Sequence, residues 1–347
     1  MTPTLTTLSP RLRRALRSGL RPALLAMAAA LLVASLEAES GLSTNNAPVQ
    51  FGGPGGPGGR GGRGGRGGRG GRGGGRGGGG GGFVGNPADY LPPLPPELNW
   101  PLDPAFKQDA FTFARLIYTS ENGTTSDGHY RSGGNWTTDT PLAGGGEGDS
   151  DANLAFRLHQ MTSLKVRPGR TYIAITPENL AHHPFVYAVE PGRMVLRADE
   201  VQALRKYLLN GGFFMLDDNW GDAEWSNISD QMHRIFPDHD LVELPLSHPI
   251  FHTIFDLPQK PQMPSIGFFL RNGQTWENNK TYQRETHDSH FFGIFDAKGR
   301  MMVFISHNND FGDGWEREGD NYEYFKRFSE PQAYPMMINI LYYAMTH

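Results

Sequence analysis

Residues 198–220 read ADEVQALRKYLLNGGFFMLDDNW, and they hold a helix, a stop and a strand in direct succession. Asp199 and Glu200 sit where a helix N-terminus favours negative charge. Val201, Leu204 and Leu208 recur at i, i+3 and i+7 and so share one face. Arg205 and Lys206 follow toward the C-terminus, and Asn210-Gly211-Gly212 ends the helix. Residues 213–216 are then a continuous apolar run with the length of a buried strand, closing on Asp217-Asp218.

The same alternation extends in both directions. Downstream, a second helix places Trp225, Ile228, Met232 and Ile235 on one stripe, with Asp222 as its cap. Residues 241–244 predict a further strand. Residues 291–295 and 301–306 flank Asp296-Ala297-Lys298-Gly299 and read as a hairpin. Pro335 suits the first turn of a final helix over 336–345, apolar nearly all round and therefore buried. Upstream, residues 111–118 (FTFARLIY) alternate as a first strand. A long loop covers 119–150, and long loops in compact domains are often functional. Residues 153–164 then put Leu154, Leu158 and Met161 on one helical face, and 171–175 and 185–189 are short strands. Strands alternating with helices predict an α/β domain with a mostly parallel sheet and helices on both faces. In such sheets ligands bind at the carboxyl ends of the strands, so the residues just after each strand are the first candidates for a site.

Composition narrows the function classes. The chain has 347 residues, 46 glycines, no cysteine and a formal charge of −4. Its length suits one or two domains. Without cysteine there is no disulfide scaffold, thiolate zinc site, iron–sulfur cluster or cysteine nucleophile. The charge is divided. Residues 1–82 carry eleven arginines, no lysine and two acids, a net of +9, which leaves −13 for the remainder. An acidic globular part is poorly matched to a phosphate backbone, so nucleic acid is not an expected partner.

The basic part divides again. Arg11, Arg13, Arg14, Arg17 and Arg21 precede an apolar run over 22–36, shorter than the roughly 20 residues of a spanning helix. Residues 1–38 therefore read as a secretory signal, with an uncleaved membrane anchor as the alternative. Residues 39–100 read as a disordered linker. Its glycine tract carries Arg60, Arg63, Arg66, Arg69, Arg72 and Arg76, a cationic tether suited to an anionic membrane or envelope surface. A stiff proline segment over 91–96 ends it. Residues 101–347 form the α/β domain. The expected location is outside the cytoplasm, either periplasmic or secreted.

Four polar groups are candidates for chemistry. Asp217 and Asp218 follow a buried strand and suit cation binding or acid/base work, or else a cap and a solvated carboxylate. Trp220 and Trp225 add aromatic surface beside them, a pairing that suits sugars. The run from His307 through Asn308, Asn309, Asp310 and Asp313 to Trp315 follows another apolar strand. It is dense in donors and acceptors, and its bland alternative is an Asx-turn loop. Arg115, Tyr118, Trp136 and Asp139 form a third group, in which Arg115 either holds an anionic ligand or pins the long loop through Asp139. His248 and His252, at i and i+4, have metal-compatible spacing but lack the glutamate of a zincin. A divalent cation is thus a possible cofactor, with no other implied.

The stretches FTFARLIY, LRADEVQALRKYLLNGGFFMLDDNWG, HRIFPDHDLVELPLSHPIFHTIFDLPQKPQMPSI, GIFDAKGRMMVFISHNNDFGDGWE and INILYYAMTH carry a resemblance, from about Phe111 to His347, to the bacterial family called domain of unknown function 4159. That family resembles the class I glutamine-amidotransferase-like superfamily, which implies a flavodoxin-like layered sheet. The amidotransferase cysteine is absent here, so that chemistry is excluded. One local departure is Arg197, where a Ser/Thr-like helix cap is expected. Two function classes follow: an envelope module binding a small molecule or glycan in an acidic, tryptophan-lined cleft, or a metal-assisted or acid/base hydrolase using Asp217, Asp218, His307 and Asp310. A carboxylate within hydrogen-bond reach of His307, or three ligands converging on one point, would favour the hydrolase, and side chains scattered more than about 10 Å apart would favour binding or a structural role.

Overall fold

The computed structural model describes residues 91–107, 109–120, 136–143, 148–277 and 285–347. The expected leader, the Gly/Arg tract and the middle of the loop expected over 119–150 lie outside these residues. Among the described residues no helix is long and apolar enough to cross a membrane.

Five short apolar runs form the parallel centre of the sheet: β1 (Ala114–Ile117), β3 (Thr171–Ala174), β4 (Phe185–Val189), β6 (Phe213–Asp217) and β9 (Met301–His307). The antiparallel hairpin partner β8 (His290–Phe295) and the two-residue β7 (Val242–Glu243) complete a seven-stranded sheet of order β3-β1-β4-β6-β9-β8-β7. A separate ribbon pairs β2 (Thr119–Ser120) with β5 (Met194–Val195). Register sets Arg115 beside Tyr187, Tyr187 beside Met215 and Val189 beside Asp217.

Helices cover both faces, as near-continuous apolar strands require. One face packs on α1 (Ser150–Met161), α5 (Ile266–Asn272), α6 (Phe311–Glu316) and the final α8 (Tyr334–Thr346), through Leu154, Leu158, Phe269, Phe311, Trp315 and Ile340. The other packs on α2 (Pro177–Ala181), α3 (Ala198–Leu209) and α4 (Gly221–Ile235), through Leu180, Leu204, Leu208, Ile228 and Met232. A short turn, α7 (Tyr322–Tyr324), and a wide π-helical turn (Phe325–Ala333) containing Pro331 lead into α8.

The 198–220 stretch folds as its pattern dictates. Val201, Leu204 and Leu208 are buried. Gly211 takes φ 107°, a conformation that favours glycine, and turns the chain into β6. Arg197 has no capping hydroxyl, but its backbone N–H donates to Oε2 of Glu200 at 2.8 Å, which supplies half of a capping box.

Several expectations need correcting. The first strand is shorter than 111–118. Helix α1 begins at Ser150, because Oδ1 of Asp149 accepts from the N–H of Ala152, and it stops at Met161, which is left exposed. Asp222 does not cap α4. It lies inside the helix, and the first free N–H, on Trp220, donates to Oε2 of Glu224 at 2.8 Å. The loop expected over 307–315 contains a helix, α6, capped by Asp310, whose Oδ1 accepts from Asp313 N–H at 2.8 Å. The proline segment lies along the domain: the carbonyl of Pro92 accepts from Arg170, and Leu91 packs on the second core.

Candidate functional site: an acidic edge at the strand ends

Three adjacent parallel strands deliver polar residues to the same edge. Strand β4 ends in Glu190, β6 in Asp217 and Asp218, and β9 in His307 and Asn308. Glu190, Asp218 and Asn308 each take a left-handed backbone, with φ of 44°, 57° and 56°. Non-glycine residues rarely adopt that conformation, and they concentrate at functional turns. The ends of β6 and β9 are tied together. Asn219 bridges Asn309, and its carbonyl accepts from Asn308 N–H at 2.8 Å. Its side-chain Nδ2 donates to the carbonyl of Ser306 at 2.5 Å, and Oδ1 of Asn308 accepts from Gly221 N–H at 2.8 Å. Thus the two acids and the His-Asn-Asn stretch occupy one rim.

Burial sets the electrostatics. Asp217 is fully enclosed. Its Oδ2 accepts from Gly312 N–H at 3.1 Å and from the Tyr187 hydroxyl at 3.2 Å, while Oδ1 has no hydrogen-bond donor among the described residues. Loss of hydration pushes its carboxyl up to about 7 despite those donors. Asp218, also buried, is pushed well above the ordinary carboxylate range by burial and then by Glu190, Asp139 and Glu277; Trp220 Nε1 donates to its Oδ1 at 2.9 Å. Asp310 rises for the same reason, with Asp218 and Asp313 as neighbours. His307 moves the other way. Burial, with His290 nearby, holds its imidazole down at about 3. Its Nδ1 lies 2.6 Å from Oδ1 of Asn219, so its partner is an amide rather than a carboxylate.

A second group sits beside this rim, over the end of β1. The Arg115 guanidinium is completely buried. It forks onto Asp151 (Nη2–Oδ1 2.6 Å, Nε–Oδ2 3.0 Å) and donates to the carbonyls of Trp136 and Thr138 and to Ser150 Oγ. Arg115 therefore pins the loop, but through Asp151 and two carbonyls instead of Asp139. Burial alone would lower the guanidinium pKa, but the charge and hydrogen bonds of Asp151, with Tyr187 and Tyr172 nearby, outweigh it and hold the group above its ordinary range. Tyr118 closes the gap between β1 and β4, its hydroxyl donating to the carbonyls of Val189 (2.8 Å) and Glu190 (2.9 Å). Asp139, left without the arginine, has φ 62° and is buried near Asp313 and Glu316.

The aromatic residues separate. Trp136, Trp220 and Trp315 lie in the interior and present almost no surface. Trp225 is half-buried, its ring centroid 4.1 Å from that of Phe292 and 5.0 Å from that of His307, beside the rim. The histidine pair is not on a common helix face. His248 caps the turn Pro249–Phe251, accepting from Ile250 N–H, and His252 contacts Asp256 and the carbonyl of Leu246. A groove of ≈460 Å³ lined by Leu180, Ala203, Lys206 and Tyr207 lies between α2 and α3, next to the starts of β4 and β6 and away from the acidic rim.

Sequence reasoning missed Glu190, Tyr187, Asp151 and Glu316. Glu190 carries the signal that exposed Asp217, an acid directly after an apolar strand. Tyr187 and Asp151 carry none, because each is one polar residue inside a regular element.

Residues 113–345 match the model of a family described as "Domain of unknown function (DUF4159)". No curated protein matches the chain.

Proposed function

The chain belongs to the DUF4159 family, and we propose that it is an exported ligand-binding module of the cell envelope whose site is the acidic edge around Asp218, Asn219, His307 and Trp225. One observation carries the reading: β4, β6 and β9 end side by side in left-handed acid or amide residues. Such an edge is rich in acceptors, and a ligand that complements it is rich in donors. A polyhydroxylated sugar, amino sugars included, meets that demand, and the half-buried face of Trp225 beside His307 supplies an apolar platform for a pyranose ring. The leader and the arginine tether fit the same setting, holding the acidic domain near an anionic surface.

The sheet supports a flavodoxin-like layering of the glutamine-amidotransferase-like kind. Taken by rank along the chain, its five parallel strands run 2-1-3-4-5. In that order the switch point falls between β1 and β4, and Tyr118, Glu190 and the Asp139 turn gather there.

The hydrolase reading rests on Asp217, whose carboxyl titrates at about 7. Two facts weigh against it: Asp217 is fully enclosed, and His307 pairs with an amide. Calorimetric titration of the full chain with peptidoglycan fragments and chito-oligosaccharides discriminates. Binding that weakens about tenfold in Trp225→Ala and in Asp218→Asn supports the module. Absence of binding across that set overturns the sugar reading. Turnover of the same glycans, lost in Asp217→Asn, would establish the hydrolase instead. Fractionation of the producing cell tests export, because recovery in the cytoplasm alone contradicts it.

A further inference from the structure

Asp139, Asp313 and Glu316 come from a loop turn and from two positions of helix α6, and they place one carboxylate oxygen each within 4.8 Å of the others. A hard divalent ion bonded to oxygen at about 2.3–2.6 Å fits between donors at that spacing. Asp139 and Asp313 are more than nine-tenths buried. An acidic cluster alone would mean little, since carboxylates gather on many surfaces.

A second observation points to an occupant. Oδ2 of Asp139 is shut off from water and accepts no hydrogen bond among the described residues. A desolvated carboxylate oxygen without a donor is costly unless a cation faces it. Nor is its place accidental. A Cβ at Gly312 would collide with this oxygen, and a Cβ at Gly148 would collide with Oε1 of Glu316. Two glycines thus leave room for two of the three carboxylates. The nearby arginines are engaged elsewhere or reach only one side. Arg115 is forked onto Asp151, and Arg317 Nε approaches the other Glu316 oxygen, Oε2, at 3.4 Å. The loop cannot swing away to relieve the repulsion, because its backbone is held: Ser150 N–H donates to the Asp139 carbonyl at 2.9 Å, and Asp149 N–H to that of Glu316 at 3.1 Å.

We infer that Asp139, Asp313 and Glu316 bind one hard divalent cation, of the calcium or magnesium type, which fastens the 136–139 turn to helix α6. The donor set is all carboxylate, which selects such ions over softer ones. The inference does not depend on a sugar ligand, since all three donors belong to the chain itself.

Terbium is a suitable probe, because Trp136 and Trp315 lie within three residues of the ligands along the chain and can sensitise its emission. The full chain, freed of metal by chelation, is titrated with Tb³⁺, and calcium and magnesium then compete. The expected result is saturable emission at one ion per chain, displaced by calcium or magnesium, and weakened about tenfold or more in Asp139→Asn and in Glu316→Gln. Glu243→Gln, a surface change, should leave the titration unaltered. Each variant is first checked for a wild-type circular dichroism spectrum, and Glu316→Gln decides alone if Asp139→Asn does not fold. Absence of saturable binding to the wild type, or binding that both variants retain unchanged, overturns the site.

Discussion

Nδ1 of His307 and Oδ1 of Asn219 lie 2.6 Å apart, although 88 residues separate them in the chain. The amide has one assignment. Its Nδ2 donates to the Ser306 carbonyl, so Oδ1 is the acceptor and His307 carries its proton on Nδ1. The lone pair is then on Nε2. Burial keeps this imidazole neutral, with its pKa at about 3. The wild-type His307 ring should therefore show no titration between pH 5 and 8 by nuclear magnetic resonance. Replacing Asn219→Asp puts a carboxylate where the amide was, and an adjacent negative charge favours imidazolium. The ring should then titrate at a pH higher by about two units or more. An unchanged ring would mean that His307 does not face Asn219 in solution.

Asp217 governs a pH dependence of stability. Its folded carboxyl titrates at about 7, against 3.8 for the ordinary group. A raised carboxyl stabilises the fold fully below the ordinary value and loses that contribution as pH climbs through the folded value. Asp217→Asn removes the ionisation. Relative to wild type, the variant should gain stability on going from pH 5 to pH 8, with an upper bound of about 3 kcal/mol from about 1.4 kcal/mol per unit between pH 5 and the folded value. His307 has the opposite sign, because its depressed pKa withdraws stability as pH falls from 6.5 toward 3. Between pH 3.8 and 6.5 the two slopes oppose each other and nearly cancel, so in the wild type these two groups leave stability level there, and Asp217→Asn should unmask the rise with pH that His307 contributes. Urea denaturation across pH 4–9 measures both trends, and parallel curves for wild type and Asp217→Asn would refute the assignment.

The strand-and-helix alternation was legible because each element repeats its apolar signal. Leu204 and Leu208 mark α3, residues 213–216 mark β6, and the apolar 336–345 run marks α8. That Asp217 and His307 end neighbouring strands at one edge of the sheet followed from the rule for parallel strands. What the sequence concealed has physical causes too. Helix α6 contains Gly312 and Gly314, poor helix formers that blur its pattern, so Glu316 was hidden in an apparent loop. The partner of Arg115 was hidden because Asp151 precedes the helix expected over 153–164, and only the observed start at Ser150 and the fold of the preceding loop turn it inward. Trp220 and Trp315 mislead for a different reason: a tryptophan next to an acid looks the same in sequence whether its ring faces ligand or core.

Arg115 should be among the least replaceable residues of the domain. Arg115→Met leaves the buried Asp151 without a charged partner, with only the Ser150 hydroxyl donating to it, and frees the carbonyls of Trp136 and Thr138. A loss of about 3–5 kcal/mol is expected, since breaking one side of a buried pair strands the other charge. Arg115→Lys keeps the charge but not the fork, and should recover only part of it. The double variant Arg115→Met with Asp151→Leu should be more stable than Arg115→Met alone, because no charge is then stranded. Chemical denaturation of the three variants measures these differences, and a double variant no better than Arg115→Met would assign the arginine's worth to the loop carbonyls.

Gly312 offers a direct probe of where Asp139 sits. A methyl group there would collide with Asp139 Oδ2 and stand 3.2 Å from the Tyr187 hydroxyl. The turn that carries Asp139 cannot retreat freely, because Arg115 holds the carbonyls of Trp136 and Thr138. Gly312→Ala should therefore cost about 1–3 kcal/mol, the range for overpacking an ordered interior. Gly211→Ala is the control of a different kind: a methyl there meets nothing within 4 Å, so any cost comes from its φ of 107° alone. The two can be separated by adding Asp139→Ala to each. Shortening Asp139 should rescue Gly312→Ala, because it removes the colliding oxygen, and should leave the cost of Gly211→Ala unchanged. Rescue of neither would show that Asp139 is not held over Gly312.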